Sequence, residues 1–282
     1  MAINWFPGHM KRTQRQISEN LKLVDAVIEI RDSRIPKSSA NPDIDKLVGS
    51  KPRIILLNKS DLSEKAVNNA WMKHLSNDHT MVLEVNCLKG SGLQKIKPAL
   101  NELLKEKHDR LRAKGLKKIV SRIMVVGIPN VGKSTFINKM AKNTIAKTGD
   151  RPGVTKNKQW IKTAMDAEML DTPGVLWPKF EDEETGLNLA FTGAIRDEIM
   201  DIEDLAYRLI ERLQTFYPEM LKERYKIEEV YEDPLHTMEA IARKRGCLMK
   251  GGEIDYNRIA VILLDEFRAG KIGNISLERP KK

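Results

Sequence analysis

Gly127-Ile-Pro-Asn-Val-Gly-Lys-Ser134 connects a short apolar run, Ile123-Met-Val-Val126, to a stretch with helical periodicity, Thr135-Phe-Ile-Asn-Lys-Met-Ala-Lys142. Runs of branched apolar residues are typical of strands buried on both faces of a parallel sheet. A glycine-rich loop between such a strand and a helix matches the phosphate-loop pattern, in which backbone N–H groups and a helix N-terminus surround phosphates. The sequence therefore predicts a phosphate-binding loop, with Lys133 at the β- and γ-phosphates and Ser134 as a ligand of Mg²⁺.

The same loop supplies further predicted nucleotide contacts through the backbone of Val131, Gly132 and Thr135. Two interpretations of Asn130 stay open. Its amide oxygen can help to hold K⁺ against the phosphates, where the ion would offset developing charge. Alternatively, its side chain satisfies N–H groups of its own loop.

A second motif, Asn58-Lys-Ser-Asp61, follows another apolar run, Arg53-Ile-Ile-Leu-Leu57. The Asp61 carboxylate can accept hydrogen bonds from N1–H and the exocyclic amine of guanine together. Asn58 can serve the Hoogsteen side, Lys59 can cover the base, and Ser60 completes the predicted guanine site. Adenine lacks that pair of donors, so a buried Asp61 would reject it by roughly 10⁴-fold or more. In isolation, Asn-Lys would also suit a surface turn.

The third motif, Asp171-Thr-Pro-Gly174, provides a carboxylate for the Mg²⁺ water shell and a glycine N–H for the γ-phosphate. It lies 38 residues after Lys133, with Arg151-Pro-Gly-Val-Thr155 in between. Thr155 is the predicted switch ligand of Mg²⁺, in a loop that orders when the γ-phosphate is present. Outside that setting, the third motif would be an ordinary Pro-Gly turn and Thr155 a solvated loop residue.

The order of these motifs resembles that of the circularly permuted GTPases, because the base-reading motif precedes the phosphate loop. Further motifs make the whole chain similar to the ribosome biogenesis GTPase A family: Trp5-Phe-Pro-Gly-His-Met10, Asp32-Ser-Arg-Ile-Pro36, Ser38-Ser-Ala-Asn-Pro42 and Thr148-Gly-Asp-Arg-Pro-Gly-Val-Thr155. The resemblance implies a P-loop GTPase that uses GTP, GDP and Mg²⁺. It also implies binding to rRNA of a precursor large (50S) ribosomal subunit at a late assembly step.

One departure from the family concerns the loop that supports the base. A Ser-Ala-Lys or Ser-Ala-Leu sequence is usual there, whereas this chain has Val85-Asn86-Cys87-Leu88. The resemblance implies that Asn86 and Cys87 lie beside guanine, with the Cys87 N–H at O6. The help of a serine side chain is then missing.

Apolar runs at residues 26–30, 54–57, 81–85, 123–126 and near 168–170 alternate with helical stretches, which is typical of a doubly wound α/β sheet. Amphipathic stretches follow at residues 201–216, 218–225, 236–244 and 255–267. The predicted domains are a basic N-terminal arm over residues 1–22, a circularly permuted GTPase domain over 23–178 and an all-α, RNA- or ribosome-binding domain over 179–282. The third motif leads directly into the helical domain. A contact between Gly174 and the γ-phosphate would therefore reorient that domain. Alternatively, the domain is a rigidly packed helical cap.

Composition limits the partner and the compartment. The 282 residues carry a formal net charge of +10 and the pI is about 9.4, so a polyanion, either RNA or a phospholipid surface, is the expected partner. The two cysteines are too few for a disulfide framework, and no apolar run reaches the ~18 residues of a membrane span. We expect a monomeric cytoplasmic protein that binds neither a membrane nor DNA.

The motifs lack the residue that usually positions the attacking water in a GTPase. Many GTPases carry a glutamine after the glycine of the third motif, but Val175 follows Gly174 here. We expect slow hydrolysis by the isolated protein and stimulation by the ribosomal subunit, with Lys133 and Thr155 in the catalytic machinery. His9 is predicted to position or deprotonate water, and the alternatives are RNA contact and local packing.

The richest basic segment is residues 105–122, with eight lysines or arginines against two acids. Arg243-Lys-Arg245 and Lys250 form a second group. Trp5 and Phe6 either offer aromatic faces for unpaired bases or pack into the core as a plug. Such runs are also common on solvated helix faces. Two other classes stay open: a metabolic P-loop kinase, which the guanine motif disfavours, and a membrane-surface GTPase, for which a strongly apolar anchor is missing.

Overall fold

The computed structural model describes residues 15–141, 160–172, 174, 176–177 and 182–281 of the chain. Four residues singled out from the sequence lie outside these ranges: Trp5, Phe6, His9 and Thr155. The switch ligand of Mg²⁺ and the water-positioning histidine therefore stay predictions.

A six-stranded sheet forms the centre of the described chain, in the order β3-β2-β1-β4-β6-β5. Its strands are β1 (Ala26–Asp32), β2 (Arg53–Asn58), β3 (Thr80–Glu84), β4 (Ser121–Val126), β5 (Trp160–Lys162) and β6 (Ala167–Asp171). Neighbouring strands run parallel except at one edge, where β5 pairs antiparallel with β6. The predicted α/β sheet is therefore confirmed, with one short edge strand, β5, that the sequence pattern did not indicate.

Helices occupy most of the remaining described chain. Residues 15–21 form α1, which is followed by α2 (Pro42–Val48), α3 (Lys65–Leu75), α4 (Ile96–Leu103), α5 (Lys105–Ala113), α6 (Lys133–Met140), α7 (Glu183–Phe191), α8 (Ile202–Phe216), α9 (Pro218–Tyr225), α10 (Pro234–Arg245) and α11 (Tyr256–Arg268). Local sequence explains several starts: Asp201, Asp233 and Asp255 accept backbone N–H groups as N-caps, and Pro218 and Pro234 occupy first-turn positions. The predicted bounds of α8 to α11 differ from these by at most two residues.

Both faces of the sheet are covered, which explains why the apolar residues of its central strands are buried on either side. On one face, Val27 of β1 and Met124 of β4 pack in a cluster with Ile17 of α1. Residues that alternate with them along the strands, such as Ile28 and Ile123, point to the other face and are also fully buried.

The described part of the predicted N-terminal arm is packed helix. Ile17 and Leu21 are four residues apart, so they share one face of α1, and they are only 3% and 6% exposed. Both belong to the cluster that contains Val24 and Val27. Residues 15–21, which fall within the predicted basic N-terminal arm over residues 1–22, therefore belong to the unit that contains the sheet.

The chain divides into two compact units. The helical unit spans Glu181–Leu277, and the sheet unit contains the other residues, including Glu278 and those that follow it. Within the helical unit, α8 packs against α10 and α11, and Leu213, Ile241 and Leu263 of these helices are fully buried. No described helix is both long and apolar enough to cross a membrane.

The C-terminal tail belongs to the sheet unit because Glu278 is hydrogen-bonded there. Its carboxylate accepts the backbone N–H of Lys37 at 2.6 Å and that of Ser38 at 3.0 Å, together with the Ser38 hydroxyl. The Trp71 Nε1–H donates to the Glu278 carbonyl at 3.3 Å. The sequence analysis assigned residues 179–282 to one helical domain, and the structure differs from it in this tail.

Candidate nucleotide-binding site

The phosphate loop occupies residues 127–132, between the end of β4 and the start of α6. Gly132 has a φ of 97°, and a Cβ at this position would lie 2.3 Å from Asn58 Nδ2, so conformation and space both require glycine. A side chain is also sterically excluded at Gly127, because a Cβ there would lie 2.8 Å from the Ile30 carbonyl oxygen of β1. Because Gly127 and Gly132 have no side chains, the backbone of the loop can surround phosphates at the N-terminus of α6.

Lys133 and Asp171 meet although 38 residues separate them, because β4 and β6 are adjacent parallel strands that end at the same sheet edge. The Lys133 Nζ donates to Asp171 Oδ1 at 2.8 Å. Gly174 lies against the phosphate loop, since a Cβ there would be 3.2 Å from the Pro129 nitrogen. The first and third motifs therefore form one site.

The residues present fit a Mg²⁺ ion that is bound together with a nucleotide. Ser134 is exposed in the first turn of α6, and 48% of the Asp171 side chain is exposed. In the part of the chain that the structure describes, no group of three or more His, Cys, Asp and Glu side chains could hold a metal ion. One hydroxyl and one carboxylate suit Mg²⁺, which keeps several waters and takes other ligands from phosphates.

Asn58 joins the phosphate loop to the loop after β3. Its amide nitrogen donates to the Val131 carbonyl at 2.7 Å, and its amide oxygen accepts the Cys87 N–H at 2.9 Å. The sequence analysis predicted that Asn58 reads the Hoogsteen side and that the Cys87 N–H meets guanine O6. In this structure the Asn58 side chain hydrogen-bonds Cys87 and Val131 and so holds the two loops together, and both contacts with guanine stay predictions.

The base-reading carboxylate of Asp61 lies at the surface. Its side chain is 35% exposed, and its Oδ2 is 3.1 Å from the Lys89 Nζ. The sequence analysis expected a buried carboxylate, whereas here only a bound base would cover it. Guanine would then provide two N–H donors in exchange for water, which preserves the predicted basis of selectivity.

Asp32 lies beside the base motif, although the sequence analysis gave it no role. Its Oδ2 is 2.9 Å from the Lys59 Nζ and 2.8 Å from the Arg34 Nη2. Burial alone would raise the pKa of the Asp32 carboxyl, but the charges of Arg34 and Lys59 hold that pKa well below its usual value. Asp32 therefore positions Lys59, whose backbone is left-handed with a φ of 59°. The sequence did not indicate this role because it depends on the register of β1 and β2, in which Asp32 lies opposite Asn58.

The other predicted base-side residues form hydrogen bonds within and between the loops of the site. The Ser60 N–H donates to the Val85 carbonyl at 3.2 Å, and the Asn86 Oδ1 accepts the Lys89 N–H at 2.8 Å. Burial raises the pKa of the Cys87 thiol to about 12, so this cysteine is neutral at pH 7. Cys87 therefore contributes packing and a backbone donor, not a nucleophile.

The remaining phosphate-loop residues have the backbone that the motif requires. Asn130 is left-handed with a φ of 60°, Val131 is buried, and Thr135 is half-buried in the first turn of α6. The contacts of their N–H groups with phosphate, and the interaction of Asn130 with K⁺, stay predictions.

Comparison with known proteins agrees with this geometry. A protein-family model described as a 50S ribosome-binding GTPase matches residues 122–238. Ribosome biogenesis GTPase A of Bacillus licheniformis is 50% identical over 281 residues, which cover 100% of this chain and 99% of that protein.

Two solved structures are similar over nearly the whole chain. The GDP-bound structure of TM YlqF has a TM-score of 0.65 and 28% identity, and the match covers 95% of this chain and 100% of that one. GNP-bound YlqF from T. maritima has the same TM-score and identity, with 96% and 99% covered. Full-length identity and a shared fold thus accompany the nucleotide motifs, and GTP hydrolysis is the activity that follows. The chain belongs to the ribosome biogenesis GTPase A family.

Proposed function

We propose that this GTPase binds rRNA of a precursor large (50S) ribosomal subunit in its GTP form, promotes a late assembly step and leaves after hydrolysis. The ribosomal partner comes from the family, and the nucleotide cycle comes from the site at the carboxyl edge of the sheet. We further propose that the protein acts as a monomer in the cytoplasm.

The proposal that the protein binds rRNA is supported by the uneven charge of the two units. Residues 181–277, the helical unit, contain 13 lysines and arginines against 21 aspartates and glutamates, a formal net charge of −8. The whole chain carries +10, so the other residues carry +18. Because RNA attracts positive charge, this supports the sheet unit as the RNA-facing unit in place of the helical domain favoured by the sequence analysis.

The two basic groups predicted from the sequence also differ in how far their charged side chains are engaged within the protein. In the helical unit, Arg245 pairs with the nearly buried Glu266, which also pairs with Arg224 at 2.8 Å. In the sheet unit, α5 has no buried residue, so its lysines and arginines are accessible. This contrast supports RNA contact by residues 105–122.

Binding to purified large subunits is expected to depend on the nucleotide. We expect at least tenfold tighter co-sedimentation with a GTP analogue than with GDP, because docking can shift only through different affinities of the two forms. We also expect faster GTP hydrolysis when subunits are added, since the chain lacks the usual water-positioning glutamine.

Anionic liposomes serve as the control polyanion for that experiment. Tighter binding to liposomes than to subunits would favour the membrane-surface alternative. Equal subunit binding in both nucleotide states, without stimulation of hydrolysis, would leave a constitutive RNA binder and remove the switch.

Metal dependence provides a second prediction for the proposed site. With Ser134 and Asp171 near Mg²⁺, Ser134→Ala should weaken the Mg²⁺-dependent part of GDP affinity by about tenfold.

If Asn130 holds K⁺, hydrolysis should be faster in KCl than in NaCl at equal ionic strength, and Asn130→Ala should remove that difference. Equal rates in the two salts for the unmodified protein would rule out the K⁺ role.

A further inference from the structure

A cavity of about 200 Å³ lies at the edge of the sheet where β4 begins with Ser121. The phosphate loop follows the opposite end of this strand, so the cavity is separate from the nucleotide site. A water molecule occupies roughly 30 Å³ in the liquid, and the space therefore suits a phosphate group with a few waters.

Three positive side chains line the cavity: Lys97 comes from α4, Arg112 from α5 and Lys117 from the segment before β4. Asp166 is the one carboxylate among the lining residues, and its Oδ2 lies 2.8 Å from the Lys97 Nζ. Arg112 also pairs with Asp109 at 3.3 Å, but both side chains are more than half exposed, so this pair is weak. The lining thus has an excess of positive charge.

His108 and Ser121 add neutral polar groups to the same lining. The His108 Nε2 is 3.0 Å from the Ser121 hydroxyl oxygen. Burial and the charges of Arg112 and Lys107 lower the pKa of His108 below its usual value, against the opposite effect of Asp25. The carboxylates near this ring thus offset only part of the effect of the cations, although Lys107 is itself paired with Asp25.

We propose that the cavity is a second anion site that binds a phosphate group, and that its natural ligand is a backbone phosphate of RNA. Lys97, Arg112 and Lys117 would supply charge-assisted hydrogen bonds, which are the strongest that a phosphate accepts. The Ser121 hydroxyl would add a neutral donor from a fixed position in β4. The phosphate site stands on the lining alone, and only the choice of RNA rests on the proposed function.

A pair of matched double variants tests the RNA assignment. Arg112→Gln with Lys117→Gln removes two charges from the cavity, and Lys65→Gln with Lys73→Gln removes two exposed charges of α3, outside both the lining and residues 105–122. The probe is a short fluorescent single-stranded RNA, with GDP and Mg²⁺ present to occupy the nucleotide site. We expect about tenfold weaker binding and a salt slope lower by about one to two for the cavity variant, against threefold or less for the control.

Inorganic phosphate tests the anion site without RNA. The measurement is the pH titration of the His108 ring by NMR, with phosphate or chloride at equal ionic strength. The other charged groups around the ring are lysines, arginines and carboxylates: Asp25, Lys97, Lys107, Asp109, Arg112, Lys117 and Asp166. Phosphate should raise the pKa of His108 toward its usual range in the unmodified protein and in the control variant, but not in the cavity variant.

Each outcome decides one part of the proposal. A His108 titration that phosphate leaves unchanged would overturn the anion site, whatever the ribosomal subunits do. A phosphate effect accompanied by equal loss of RNA binding in both double variants would overturn the RNA assignment. Failure of the proposed function would appear separately, as equal binding of subunits in the GTP-analogue and GDP states.

Discussion

Replacing Asp61 with asparagine is expected to change the base that the protein prefers. In the predicted site the Asp61 carboxylate would accept from both the N1–H and the amine of guanine, whereas an asparagine NH₂ would face the guanine amine donor to donor. Xanthine has an oxygen at C2 that accepts from this NH₂. We expect the ratio of GDP to xanthosine diphosphate affinity to fall by roughly 10⁴-fold, measured by competition against a fluorescent GDP.

Lys89→Ala is the matched control, because it removes the ion-pair partner of Asp61 and keeps the carboxylate. This variant should retain the preference for guanine, with GDP affinity within about threefold of the unmodified protein. Asp61 is 35% exposed, so neither substitution should unfold the sheet unit. An unchanged base preference in Asp61→Asn would remove Asp61 from the guanine site.

The elements that the sequence predicted are those specified by neighbouring residues. β4, the phosphate loop and the start of α6 follow one another directly, and their apolar run, paired glycines and Lys-Ser each act locally. Asp caps and prolines fixed the starts of α8 to α11 in the same way. β5 has only three residues and no continuous apolar run, so it depends on its pairing with β6.

Contacts between distant segments were not predictable from the chain alone. Glu278 binds Ser38 across a separation of 240 residues, and no local pattern marks either residue as a partner. Asn58 sits in a recognised motif, yet its two side-chain partners belong to loops on either side of the site. The chemistry of the site was therefore predictable, whereas the contacts that hold its loops together needed the structure.

Asp32 is the clearest example of such a contact, and Asp32→Asn should strongly destabilise the sheet unit. The Asp32 and Arg34 side chains are 2% and 1% exposed, so the substitution removes the negative charge of a buried ion pair. Loss of one partner of a buried pair costs about 3–5 kcal/mol. All four tryptophans lie within residues 1–180, so their fluorescence during urea unfolding reports this unit.

The pH dependence should identify the carboxylate as the cause. The pKa of Asp32 is lower in the folded protein than the unfolded value of about 3.9, because Arg34 and Lys59 favour its charged form. Its contribution to stability is therefore full above the unfolded pKa and is lost as the pH falls below it. The difference in unfolding free energy between the unmodified protein and Asp32→Asn should be largest near pH 7 and should shrink on acidification.

Asp109→Asn provides the comparison, since Asp109 pairs with Arg112 at an exposed position and should change the unfolding free energy by less than about 1 kcal/mol. A loss near 1 kcal/mol in Asp32→Asn as well, with no dependence on pH, would mean that Arg34 and Lys59 find other partners. In that case Asp32 could not be what positions Lys59 over the base. A large, pH-dependent loss accompanied by weaker GDP binding would instead connect the buried ion pair of β1 to the nucleotide site.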